Sequence, residues 1–204
     1  MSSKETFGKT IQTRQIKAIK WAISIILPSI LIFGFNQVLV SWNLDRLVSA
    51  VEESEVSMQL YFVAYKENQP KPGEPNQYWF EHGYDADYVS LEDQWVRKTV
   101  APAALKYRDV LLSHQAEIES LKILTFDSGL KQARKEYLLH VQAWINLLDQ
   151  TSSCENYTCV LDYRDWSSAS ISQTFRSSST EFSRISPMFD FFDIGNRVTK
   201  IFEN

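Results

Sequence analysis

Glycine and proline are scarce in this chain of 204 residues, which contains six of each. Propellers, β-sandwiches and collagen-like chains need frequent turn residues or a short glycine repeat, so the composition excludes these classes. Apolar residues make up 44% of the chain and charged residues 23%, which suffices for a core and argues against extensive disorder. We therefore expect an all-α protein.

The motifs of the common catalytic and cofactor sites are also missing. HExxH, GxSxG, a P-loop and GxGxxG do not occur, and we expect no enzyme activity, no cofactor and no metal. The chain has three histidines. His82 falls in an acidic loop, which is more often solvated than metal-binding. His114 and His140 fall on separate predicted helices, where they either meet as an acid–base pair or occupy ordinary polar or core positions.

Positive charge is concentrated at the start of the chain. Residues 1–20 contain five Lys or Arg and one Glu, a net charge of +4, and since the whole chain carries −4, residues 21–204 carry −8. An acidic body repels phosphate backbones, so we expect no nucleic acid among the partners.

A run of twenty residues without charge, 21–40, follows this basic segment. As a helix it is roughly 30 Å long, the thickness of the hydrocarbon core of a bilayer. Trp21 and Trp42 lie at its two ends, where interfacial aromatic residues belong. The pattern predicts a transmembrane helix and makes the lipid bilayer the first partner of the chain.

The distribution of basic residues predicts the orientation of this span. Five Lys or Arg precede it, whereas residues 41–60 contain only Arg46 among four acidic residues. The positive-inside rule then places the N-terminus in the cytoplasm and the body, residues 41–204, outside it. The alternative is a signal peptide cleaved after residues 48–50, but that site lies about ten residues beyond an unusually long apolar stretch.

Two amides, Asn36 and Gln37, lie in the outer part of the predicted span. Unpaired amides in hydrocarbon are costly, so one interpretation is that they bind a helix of another chain. The other is that they reach water or lipid headgroups at the interface. Both readings stay open from the sequence.

The body, residues 41–186, shows four amphipathic segments. The first continues the span from Trp42 to Tyr65, and the second runs from about Ser90 to Ile123, unless Pro102 places its start at Ala101. The third begins near Ser128, and the fourth covers 160–186. We expect a bundle of about four helices whose first helix is continuous with the span.

Cys154 and Cys159 are the only cysteines. Their close spacing and the predicted extracytoplasmic location indicate a disulfide bond, because two thiols five positions apart match neither C-x-x-C nor a four-cysteine metal site. They enclose a sequon at Asn156, which we interpret as a chance match.

The C-terminal tail, residues 187–204, contains the phenylalanines Phe189, Phe191 and Phe192. They either cap the open end of the bundle or form an exposed patch for a partner or a membrane surface. Beyond them, an apolar stripe from Ile194 to Phe202 is typical of a short docking helix.

The function that best fits these features is a non-catalytic accessory or scaffold subunit of a larger membrane-associated complex. The interaction residues are then Asn36, Gln37, Phe189, Phe191 and Phe192, and the partners are other membrane-protein subunits or a second copy of the chain. A membrane-anchored domain that senses a ligand or stress is the alternative, and a membrane-anchored enzyme is the third possibility.

Overall fold

A computed structural model describes residues 3–67, 69–70, 86–123, 128–185 and 192–203, with side chains at Trp21, from Ser24 onward and outside 86–90. All regular structure in these ranges is helical, as expected. We number the helices α1 (Ser3–Lys66), α2 (Ala86–Trp95), α3 (Ala101–Ser120), α4 (Ser128–Ser152), α5 (Tyr157–Ser183) and α6 (Ile194–Glu203), with a π-helical turn, Val96–Val100, joining α2 to α3.

The first helix, α1, is 64 residues long and includes both the apolar run and the first segment of the body. Large apolar side chains between residues 25 and 35 are half or more exposed, as in Ile30 (60%) and Phe35 (66%). A helix this long and apolar could cross a membrane, and it is the one such helix in the described part of the chain.

The C-terminal part of α1, residues 40–66, is called its outer part here. One face of it packs on the rest of the body. Leu44, Leu47, Val51, Met58 and Tyr61 are buried in the main core, together with side chains of α3, α4, α5 and α6. This face of α1 therefore has its partners within the chain. The helices of the body supply the apolar surface that covers it.

The second predicted segment is one continuous helical path from Ala86 to Ser120, so Ala101 is not a helix start. Pro102 has no N–H to donate to the residue four positions earlier, and its ring collides with that carbonyl in a regular α-helix. The π turn lies directly before it, where the N–H of Ala101 donates to the carbonyl of Val96, five residues back. The wider turn accommodates the proline without ending the helix.

The third and fourth predicted segments are the antiparallel helices α4 and α5. The short loop between them carries the cysteine pair, whose sulfur atoms lie at bonding distance with the Cα atoms 5.7 Å apart. Asn156 begins α5, and its side chain accepts a hydrogen bond from the backbone N–H of Cys159, an N-cap contact. The sequon asparagine therefore has a structural role.

The apolar stripe of the tail forms the helix α6, which docks on the body. Its first residue, Ile194, is buried, and near its end the ring of Phe202 contacts Phe175 and Phe182. Arg197 contacts Asp45 and Glu52 of α1. The contacts of Arg197 place the start of α6 at the end of the body nearest the predicted span. The contacts of Ile194 and Phe202 show that the apolar stripe of the tail packs on the body.

Candidate functional site

A largely buried polar cluster surrounds Glu55 of α1. The hydroxyl of Tyr137 on α4 donates to Glu55 Oε1 over 2.9 Å, and Nε2 of His140 lies 3.6 Å from the same oxygen. Tyr137 also contacts the hydroxyl of Ser54. Tyr137 and His140 are three residues apart on α4, so one helical turn presents both side chains to α1.

Burial shifts the proton affinities of this cluster in opposite directions. Loss of solvent raises the pKa of Glu55 from 4.5 to about 7, although the hydrogen bond from Tyr137 partly opposes the shift. Burial also lowers the pKa of His140 from 6.5 to about 4. Both groups are therefore neutral between these two values, as expected where charge is poorly solvated.

The partner of His140 on α5 determines which nitrogen carries the proton. Thr174 Oγ1 donates its hydrogen to a backbone carbonyl of its own helix, so it accepts from His140 Nδ1, 3.2 Å away. The lone pair of Nε2 then faces the protonated carboxyl of Glu55.

The other histidines do not join this cluster. His114, on α3, hydrogen-bonds Ser57 of α1, whereas His140 contacts Glu55 and Thr174, so the two histidines have different partners. His82 lies outside the described residues. The sequence offered one indication of the Glu55 cluster, since Glu55 follows Val51 by four residues and therefore occupies the buried face of α1.

An open groove runs between the outer part of α1 and the start of α3. Its volume is about 530 Å³, and apolar side chains form much of its wall. Leu60 is 46% exposed and Val63 67% exposed. Lys98 and Lys106 lie along the α3 side of the groove, and Glu67 lies at its outer end.

A second, smaller cavity of about 290 Å³ lies on another side of α1. Its wall is mostly aromatic and aliphatic, and two cationic side chains, Lys66 and Arg164, contribute to it. The remaining lining residues are Tyr61, Phe62, Tyr65, Leu147, Thr151 and Val160.

Arg197 of α6 holds the tail against α1. Its guanidinium donates to both oxygens of Glu52, at 3.0 and 2.7 Å, to Asp45, at 2.5 Å, and to Ser49. The hydrogen bonds that Arg197 donates to Glu52 are the main cause of an upward shift in the pKa of Arg197, which keeps the side chain charged. Nothing in the spacing of the tail predicted these partners, which lie about 150 residues earlier.

The interaction residues predicted from the sequence fall at the junction of span and body. Asn36 and Gln37 are half-buried; Gln37 has an interaction partner within the chain, whereas Asn36 Oδ1 is buried without a hydrogen-bond partner among the described residues. Phe192, just before α6, is 41% exposed. Phe189 and Phe191 lie outside the described residues.

No protein-family model matches this chain, and neither the curated proteins nor the solved structures include one that is similar to it. The function is therefore inferred from its own residues and their geometry.

Proposed function

We propose that this chain is a non-catalytic, single-span membrane protein that acts as an accessory or scaffold subunit of a larger complex. In this proposal the N-terminus is cytoplasmic, and the body is an extracytoplasmic four-helix bundle formed by the outer part of α1 with α3, α4 and α5. The cell membrane is its location.

Two observations support this topology. The basic residues lie on one side of an apolar segment whose side chains are exposed, and lipid is the solvent that such side chains need. The cysteine pair at bonding distance lies in the body, and stable disulfides belong to oxidising compartments outside the cytoplasm.

The observation that carries the accessory role is the exposed apolar strip on α1 beside the groove. Leu60 and Val63 are exposed on the same helix that forms the span, so a neighbouring membrane protein is held in the correct plane and direction to contact them. Leu60 and Val63 are three residues apart. A groove between two helices that is lined by apolar side chains at this spacing commonly binds an amphipathic helix.

The charges along the groove favour a different protein over a second copy. Lys98 and Lys106 are exposed beside the apolar strip. Two copies anchored in one membrane have the same orientation, so residues at the same height above the membrane meet. The lysines of one copy would then face the same lysines of the other copy. A partner helix with an apolar stripe and carboxylates at this level instead gains favourable pairs.

Site-specific photo-crosslinking in native membranes tests this role. We expect a crosslinker at Val63 to give one discrete adduct with a membrane protein, and a crosslinker at Leu139, which is 49% exposed on α4, to give none. Lys98→Glu with Lys106→Glu should reduce the adduct severalfold, and basic substitutions at the partner's facing carboxylates should restore it. Identical adduct patterns at Val63 and Leu139, or no effect of charge reversal, would contradict the proposed interface.

The smaller cavity favours a ligand-sensing role as the second candidate. Its apolar wall and the cations Lys66 and Arg164 suit a small molecule with an apolar body and one carboxylate. We would titrate the detergent-solubilised protein with a series of medium-chain fatty acids and follow its Tm. A rise in Tm that is lost in Arg164→Gln supports sensing, and an unchanged Tm across the series argues against it.

A further inference from the structure

A second cluster of polar side chains lies at the surface between α1 and α3, apart from the buried Glu55 cluster. It consists of Glu53, His114 and Glu117, and one potential ligand atom from each lies within 4.8 Å of the other two. His114 and Glu117 are three residues apart on α3 and therefore share one face, while Glu53 faces them from α1. The cluster thus joins two helices.

The hydrogen bonds of Ser57 determine which imidazole nitrogen of His114 is available. Ser57 Oγ donates its one hydrogen to the carbonyl of Glu53, 3.0 Å away, so it accepts from His114 Nε2 at 3.1 Å. In the neutral imidazole the proton is then on Nε2, and Nδ1 carries a lone pair. A serine that fixes the ring in this way has the role of the outer-shell partner found behind most metal-binding histidines.

The free nitrogen of His114 faces a carboxylate. Nδ1 lies 4.0 Å from Glu117 Oε2, too far for a hydrogen bond and, in the neutral tautomer, with a lone pair facing a negative oxygen. The carboxylate of Glu53 adds a second negative group to the same space. Three electron-pair donors around one point attract a cation.

We propose that Glu53, His114 and Glu117 bind one divalent transition-metal ion of the Zn²⁺ type and thereby crosslink α1 to α3. An imidazole nitrogen selects such an ion over Ca²⁺ or Mg²⁺, which prefer sites made of oxygen alone. Three protein ligands leave a fourth tetrahedral position for water.

The ligand positions suit such an ion after a small adjustment. Donors around tetrahedral zinc lie about 3.3 Å apart, because each is about 2.0–2.2 Å from the metal. The present atoms therefore need to move together by about 1 Å, whereas the helices need not move because both glutamates are exposed and end in flexible side chains. His114 is the more rigid ligand, since its side chain is only 17% exposed.

Zinc binding to the full-length protein in detergent tests the site. Zn²⁺ alone is the probe, measured by competition with a chromophoric chelator, and the visible spectrum of the Co²⁺ form reports the ligand geometry. We expect one ion per chain, an increase in Tm on addition of Zn²⁺, and an affinity at least tenfold weaker in each of His114→Gln, Glu53→Gln and Glu117→Gln. The matched control is Glu119→Gln, an exposed carboxylate on the same helix, which should bind zinc as the unmodified chain does.

A positioning variant distinguishes this site from loose binding to surface carboxylates. Ser57→Ala keeps all three ligands but releases the ring, so we expect a loss of about tenfold or more in zinc affinity. Circular dichroism of each variant checks that the helices are intact, and Glu117→Gln at the exposed surface keeps the test valid if His114→Gln fails to fold. Zinc affinity that is equal in the unmodified chain and in Glu117→Gln, or no binding by the unmodified chain, overturns the proposal.

Discussion

The two halves of α1 between residues 24 and 61 have opposite surroundings. Between residues 24 and 39 the large apolar side chains point outward on every side, and no residue of this stretch is fully buried. From Val40 to Tyr61, buried apolar residues follow a helical spacing, and the positions between them include the exposed polar residues Arg46, Glu53 and Gln59. A helix that is apolar all round is typical of a membrane span or of the core of a large assembly, whereas a helix that is apolar on one face packs that face against a protein core. One continuous helix therefore carries both patterns, and the change occurs at the end of the predicted span.

The largest expected effect compares one leucine from each half. Leu47 is fully buried and Leu31 is 65% exposed. We expect Leu47→Ala to lower the free energy of unfolding of the body by about 3 kcal/mol, because it removes buried area and leaves a cavity. Leu31→Ala should change it by less than about 0.5 kcal/mol. Chemical denaturation in detergent micelles, followed by circular dichroism, measures both, and equal losses would break the comparison.

Removing the disulfide tests how strongly it stabilises the end of the body far from the predicted span. Closing a loop of this length contributes about 2 kcal/mol in the chain-entropy model. We expect Cys154→Ser with Cys159→Ser to lower the free energy of unfolding by about that amount and to leave the protein folded, since the main core lies elsewhere. A double mutant without native helical content would show that the outer end depends on this link far more than we infer.

The pH dependence of stability shows whether the groups on the buried face of α1 are charged or neutral in the folded state. The pKa of Glu55 rises from 4.5 unfolded to about 7 folded, so between these values the folded state holds a proton that the unfolded state has lost. This contribution to stability is present below pH 4.5 and is lost as the pH rises through 7. His140 makes stability change with pH in the opposite direction. Its pKa falls to about 4 in the folded state, so its contribution to stability grows as the pH rises from 4 to 6.5.

Replacing Glu55 by Gln separates the two contributions. Glutamine does not ionise and keeps an acceptor for Tyr137. The free energy of unfolding of Glu55→Gln, relative to that of the unmodified chain, should therefore rise by about 2 kcal/mol between pH 5 and pH 8. Denaturation curves at several pH values measure this difference. A constant difference across that range would show that Glu55 does not hold a proton in the folded state.

The smallest expected effect concerns the attachment of α6 to α1 near the predicted span. Arg197→Gln removes the charged contacts with Asp45 and Glu52, and partly exposed pairs of this kind contribute about 1 kcal/mol. We expect faster backbone hydrogen exchange across residues 194–203 with little change in the core. Arg184→Gln, at a 68% exposed side chain paired with Glu181, is the control and should leave that exchange unchanged.

Local patterns in the sequence predicted most of the helices, whereas contacts between distant segments were not predictable. The uncharged run and the spacing from Leu44 to Tyr65 depend on neighbouring residues alone, so they indicated both parts of α1. Pro102 suggested a helix start because the pattern gave no sign of the π turn before it. The partners of Arg197 and Glu55 lie more than 80 residues away, so only the fold brings them together.

The topology of α1 is the central claim, and cysteine labelling tests it most directly. Single cysteines at Ser2, in the basic N-terminal segment, and at Ser172, exposed on α5, are treated in intact cells with a membrane-impermeant maleimide. The native pair stays unreactive while it is bonded. We expect labelling at position 172 and none at position 2 until the membrane is permeabilised. Labelling at position 2 with protection at position 172 would contradict the proposed orientation, and protection of both sites would place the body in the cytoplasm.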